Sequence, residues 1–238
     1  MTETFLGGRV VAEQPADGFR SGTDAVMLAA AIPARAGEAV LELGVGAGVA
    51  SLCLAARVAG LSIAGVEIDE SLAALARANA TASGAKMKII TADIFALPPA
   101  IKRDFDQVIC NPPFHGESVP PPNPARARAL MDDGNLAHWL STGLQRTVSG
   151  GFFTTILRTD RLTEALEALP RRGVHVLPLW PRVGMVSKRV IVQTRKGSRA
   201  PFALLSGLAM HEADGRYTPQ AEAVLRDGGS LAMESERL

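Results

Sequence analysis

A chain of 238 residues and 25.0 kDa, 47% hydrophobic and 21% charged, can bury a sizeable core, which excludes a disordered segment; aromatics at 5% leave that core to Ala, Leu, Val and Ile. The net charge of +1 conceals an asymmetry, with Lys+Arg against Asp+Glu standing at 9 to 13 in residues 1–119, 13 to 5 in 120–199 and 3 to 6 in 200–238, so the middle of the chain reads either as ordinary solvated surface or as a face for an anionic partner. Two cysteines and four histidines support neither a disulfide framework nor a metal site, no apolar run nears the roughly 20 residues that span a bilayer, and residues 1–9 carry no export pattern; the expectation is a soluble, cytoplasmic protein.

In chain order, Ala39-Val40-Leu41-Glu42-Leu43 reads as a buried strand. A helix follows over 47–58, where Val49, Leu52, Cys53 and Ala56 recur at helical spacing. Residues 61–66 form the next strand, and a helix over 70–83 starts behind Asp69, whose carboxylate suits an N-cap. Strands are expected at 88–91, 105–110, 151–157, 174–179 and 188–194, with helices at 135–148 and 159–169. Such alternation requires crossovers between parallel strands, hence an α/β doubly wound, mostly parallel seven-stranded sheet. No linker or repeat divides the chain. It reads as a single domain: an extension over 1–38, a core over 39–195, and a C-terminal hairpin and tail over 196–238, with Asp214-Gly215 as the hairpin turn.

Glu42-Leu43-Gly44-Val45-Gly46-Ala47-Gly48 joins the first strand to its helix. Glycines there permit a tight turn and let a ligand approach main-chain N–H groups at the positive end of a helix. Val49 stands where dinucleotide folds often place a third glycine, which favours a ligand carrying a carboxylate and a ribose over a pyrophosphate. Glu67 ends the second strand, where its carboxylate can accept both ribose hydroxyls. Asp93 ends the third, where it can accept from an adenine amino group.

The fourth strand runs into Asn111-Pro112-Pro113-Phe114. Two prolines cannot continue a ladder, so the chain turns there. The four residues suit a planar substrate bearing an exocyclic amine or an amide. The Asn111 side-chain oxygen and the Pro112 carbonyl accept its two N–H groups and localise its lone pair. Pro113 fixes the turn, and Phe114 offers a stacking face.

Taken in this order, the motif at 42–48, Val66-Glu67-Ile68-Asp69, Asp93-Ile94 and Asn111-Pro112-Pro113-Phe114 resemble a Rossmann-like class I S-adenosylmethionine-dependent methyltransferase of the amino-methylating branch. More narrowly the chain resembles the bacterial tRNA1(Val) adenine-37 N6-methyltransferase family. The likeness also takes in residues 18–25 and, near the end, 208–212 and 217–219. It implies S-adenosylmethionine as cofactor, with Gly44, Gly46 and Gly48 at its methionine half beside Glu42, and Glu67 and Ile68 at the ribose. Asp93 and the Ile94 backbone would hold the adenine, Arg20 and Thr23 would close over the methionine carboxylate, and Asn111 would face both cofactor and substrate. It implies no metal and no membrane, and a nucleic-acid partner, tRNA above others. Glu117 to Ala129, with Arg126 and Arg128, reads either as a loop gripping RNA or as a plain loop. Arg171-Arg172, Lys188-Arg189 and Arg195-Lys196 are further candidates for phosphate contacts. His115 reads as a turn residue, His211 and Tyr217 as packing groups of the terminal hairpin, and Trp139 and Trp180 as core or half-buried surface. The alternatives are N5-methylation of a protein glutamine, disfavoured by Phe114 where those enzymes usually carry Tyr, and a catalytically silent RNA-binding module.

Overall fold

The principal strands are short runs rich in Val, Ile and Leu. The computed structural model describes residues 1–17, 20–113 and 136–233. A hairpin of β1 (Thr2–Phe5) and β2 (Val10–Glu13) comes first, followed by α1 (Thr23–Ala31). Then come β3 (Ala39–Leu43), α2 (Val49–Arg57), β4 (Ser62–Glu67), α3 (Glu70–Ser83), β5 (Met87–Thr91) and β6 (Phe105–Cys110). Beyond the segment outside the described residues are α4 (Leu136–Arg146), β7 (Thr147–Arg158), α5 (Leu162–Ala168), β8 (Val174–Trp180) and β9 (Arg189–Arg195). The chain closes with β10 (Ala203–Leu204), β11 (Leu208–Ala209) and α6 (Pro219–Leu225).

The main sheet runs β10-β8-β9-β7-β6-β3-β4-β5, with β11 also on β8. Every pairing is parallel except those of β9, which lies antiparallel between β7 and β8. The seven strands expected from sequence are all present. The sheet nevertheless has nine, because β10 and β11 add two-residue pairings along β8, too short to leave a periodic signal. The expected terminal hairpin is reduced to one antiparallel bridge, His211 to Tyr217, around the Asp214-Gly215 turn. The chain then enters α6, capped by the Thr218 hydroxyl accepting from Ala221 N–H at 3.1 Å.

Asp69 caps α3 as the sequence indicates, accepting from Ser71 and Leu72 N–H at 2.8 and 3.2 Å. One apolar layer joins α1, α2 and the sheet through Met27, Leu28, Leu52, Leu54, Val40 and Ile191. The opposite layer is centred on Leu41, Phe105, Val108, Leu140, Phe153 and Val192. The N-terminal hairpin is stapled to the rest by Asn79, buried on α3. Its Oδ1 accepts from Glu13 N–H at 2.8 Å, and its amide donates to the Glu13 and Ala47 carbonyls, each at 2.9 Å. No helix among the described residues is long and apolar enough to cross a membrane.

Candidate functional site

The C-terminal ends of β3, β4, β5 and β6 share one edge of the sheet, where open α/β folds place their ligands. The 44–48 turn leaves β3 there. Gly46 holds a left-handed φ of 55°, and a Cβ at that position would meet no atom within 4 Å, so its backbone faces open space. Its N–H donates to Glu67 Oε2 at 2.9 Å, while Val45 N–H donates to the Val66 carbonyl at 2.9 Å. The ends of β3 and β4 are thereby joined into one unit.

Glu67 is 8% exposed. Its Oε1 accepts from Ile68 and Asp69 N–H at 3.0 and 3.1 Å. Burial raises its pKa above the ordinary carboxylate value, and the N–H groups of Asp69, Gly46 and Ile68 pull against that rise. Glu42 is buried. It accepts from the Ser51 hydroxyl and from Ser51 N–H at 3.2 Å, and desolvation pushes its pKa up to about 8. Asp93 is exposed at the end of β5, its Oδ1 accepting from Phe95 N–H at 2.8 Å, while the Ile94 side chain is buried in the core. Ile68 leaves 47% of its surface exposed beside Glu67.

At the end of β6, Asn111 Oδ1 is buried and accepts no hydrogen bond, although an orphaned acceptor of this kind is costly unless something fills it. Pro112 is buried behind it and Pro113 half-buried. Phe114, Arg126 and Arg128 lie outside the described residues. Arg20 is exposed and pairs with Glu3 of the hairpin at 3.6 Å. Thr23 heads α1, whose Asp24 binds Arg189 Nε at 2.8 Å where β9 begins, on the same sheet edge as Asn111.

Sequence reasoning missed an aromatic group at this edge. Phe95 stacks on His138 with centroids 3.9 Å apart and meets Trp139 edge-on at 6.2 Å. Trp139 in turn covers Gly44. Its signal in the sequence was an aromatic at the start of a helix, which core packing explains equally well.

The basic middle of the chain divides between two edges. Arg158, Arg182, Lys188 and Arg189 lie at the edge carrying Asn111. Arg171, Arg172, Arg195, Lys196 and Arg199 lie at the opposite edge. There Lys196 Nζ donates to the Gln145 and Thr147 carbonyls at 3.2 and 2.6 Å, and the Arg195 guanidinium lies over Phe152. These residues tie β9 to the end of α4 and the start of β7. The two cysteines are buried, and desolvation pushes both pKa values up to about 12, which leaves them as inert thiols. No cluster of metal-ligating side chains occurs among the described residues.

Residues 16–130 match the family model of the methyltransferase small domain. The tRNA1(Val) (adenine(37)-N6)-methyltransferase of Klebsiella pneumoniae (strain 342) is 33% identical over 165 residues, 66% of each chain. That of Serratia proteamaculans (strain 568) is 31% identical over 218 residues, 88% of this chain and 83% of that one. Among solved structures, a predicted O-methyltransferase, Atu636 of Agrobacterium tumefaciens, superposes with a TM-score of 0.72 at 26% identity, over 88% of this chain and 98% of its own.

Proposed function

The chain belongs to the tRNA1(Val) (adenine(37)-N6)-methyltransferase family, and from that membership we propose that it methylates the exocyclic N6 of an adenine in structured RNA, of the tRNA class for which its relatives are named. The observation that carries this reading is the buried, unsatisfied Asn111 Oδ1 at the catalytic edge. An adenine amine is a poor nucleophile because its lone pair is delocalised into the ring. Asn111 Oδ1 accepts one amine N–H and the Pro112 carbonyl the other, which draws the nitrogen out of conjugation and aims its lone pair. Phe114, following in sequence, stacks on the everted base. Arg126 and Arg128 grip the RNA backbone. The proton leaves to water, so no strong base is needed.

The residues fit S-adenosylmethionine. When bound it supplies a methyl group on a cationic sulfur, electrophilic enough for an uncharged amine to take. The open backbone of Gly46, with Gly44 and Gly48, suits its methionine half beside Glu42. Glu67 accepts three backbone N–H groups and keeps one acceptor site, on Oε2, for a ribose hydroxyl next to Ile68, and Asp93 with the Ile94 backbone suits the adenine. Arg20, paired with Glu3 in the hairpin, and Thr23, at the head of α1, are assigned to the methionine carboxylate.

The test is incubation with methyl-labelled cofactor and either total tRNA or protein extract, followed by mass mapping of nucleosides. N6-methyladenosine in tRNA is expected. Label confined to protein glutamine, or no transfer at all, would overturn the reading.

A further inference from the structure

The loop joining β8 to β9, residues 181–188, carries an exposed apolar tip that the proposed chemistry does not use. Val183 is 87% exposed, Val186 80% and Met185 47%. The segment Pro181-Arg182-Val183-Gly184-Met185-Val186-Ser187-Lys188-Arg189 carries three basic residues and no acid of its own; Arg189 pairs with Asp24 and Arg182 lies near Asp214, while Arg182 and Lys188 are both exposed.

The base of this loop is held firmly from two sides. The single Ser187 hydroxyl proton lies between the Leu179 and Arg189 carbonyls, 3.0 and 2.6 Å from Oγ, and Ser187 Oγ accepts from the Thr159 hydroxyl at 3.1 Å, while Thr159 N–H donates to the Lys188 carbonyl at 3.2 Å. On the other flank, Met210 N–H donates to the Trp180 carbonyl at 2.7 Å and His211 N–H to the Pro181 carbonyl at 3.1 Å, and the His211 ring stacks on Tyr217. The terminal His211 and Tyr217 thus buttress the loop.

Sheet order puts the loop on the catalytic edge. β8 runs parallel to β7 and β6, so its C-terminal end lies on the side where Asn111 leaves β6. Two to three strand spacings separate them, roughly 10–15 Å. An adenine stacked in folded RNA must be extruded to reach such a site, and a side chain that takes its place in the stack would hold it out. Nucleic-acid-binding proteins frequently prise open a base step by inserting an apolar side chain between the bases, while basic side chains contact the phosphates.

We propose that the 181–188 loop is a wedge for RNA: Val183, Met185 and Val186 occupy the space vacated by the everted adenine, and Arg182 and Lys188 contact the adjoining phosphates. This rests on the RNA-methylating reading above.

The experiment uses the full chain with Val183→Ser/Val186→Ser and, separately, Arg182→Gln/Lys188→Gln. Both pairs are exposed, and cofactor affinity by calorimetry checks that the folded site survives. RNA methylated by the parent enzyme is remade with 2-aminopurine at the target adenine, whose fluorescence rises on eversion. The serine pair should lose most of that rise and cut kcat/KM on folded RNA tenfold or more, while a short unstructured oligonucleotide containing the same adenine is methylated within about twofold of the parent rate. The glutamine pair should lower affinity and flatten its salt dependence by up to about two units of slope. Parent-like eversion and rate in the serine pair would overturn the wedge while leaving the methyltransferase reading intact. A parent enzyme that methylates no RNA fails the underlying reading instead. A parent dimer in sedimentation that the serine pair converts to monomer would mark the tip as a contact between copies and likewise overturn the proposal.

Discussion

The indole of Trp139 lies directly over Gly44. A Cβ at position 44 would stand 2.8 Å from Trp139 Cη2 and 3.1 Å from Cζ3, and Gly44 holds φ at 68°. Gly44→Ala therefore meets two separate penalties, a left-handed backbone costing on the order of 1–2 kcal/mol and a clash with a ring wedged beside Phe95. Trp139→Ala in the Gly44→Ala background should recover the clash and leave the backbone cost. Urea unfolding of the two single variants and the double variant checks this, and strict additivity would mean that the ring and the glycine do not interact.

Glu42 makes stability depend on pH. Its folded-state pKa of about 8 lies above the ordinary value of 4.5, so its neutral form is favoured in the fold. The stability it permits is fully present below about pH 4.5 and is lost as pH rises to about 8, by an amount on the order of 3–5 kcal/mol. Glu42→Gln should flatten the profile, its advantage over the parent growing from pH 5 to pH 9. Parallel denaturant curves at three pH values measure it; a constant difference across pH would show that Glu42 does not titrate in this window.

Glu67 both faces the ligand edge and anchors Gly46 N–H. Glu67→Ala should weaken S-adenosylmethionine binding by about 1.5–3 kcal/mol, since a charge-assisted bond from a ribose hydroxyl to Oε2 vanishes and the glycine turn loosens. Calorimetry on the folded variant decides the matter. Unchanged affinity would restrict Glu67 to a structural role.

Asn111 should separate rate from stability. Asn111→Ala removes a buried acceptor that has no partner, so unfolding free energy should stay level or rise by up to about 1 kcal/mol. Single-turnover methylation at saturating cofactor should fall by roughly 10²–10³, with RNA affinity little altered. A variant that methylates at the parent rate would reduce the turn to a bend in the chain.

The amino-acid sequence by itself determined the βα alternation, the seven principal strands, the Asp69 cap, and the acids and asparagine at strand ends. Those features are local: side-chain period, capping chemistry and turn residues act over a few positions. Long-range pairing decided the rest. The buried helix α1 is alanine-rich with no polar stripe to give it away, and β1 and β2, at four residues each, are too short to leave a period in the sequence even though β2 alternates buried and exposed in the fold. Trp139 and Gly44 are distant in sequence and meet only because α4 packs back against β6 and β7, beside the end of β3. The basic residues show the limit most plainly. Lys188-Arg189 and Arg195-Lys196 look like one patch in the chain. The strand between them is extended, rising about 3.3 Å per residue, so the two pairs stand roughly 20 Å apart at opposite edges of the sheet. Only the first shares an edge with Asn111, because β9 runs antiparallel to its neighbours, a choice fixed by how the strands pack and by no short stretch of sequence.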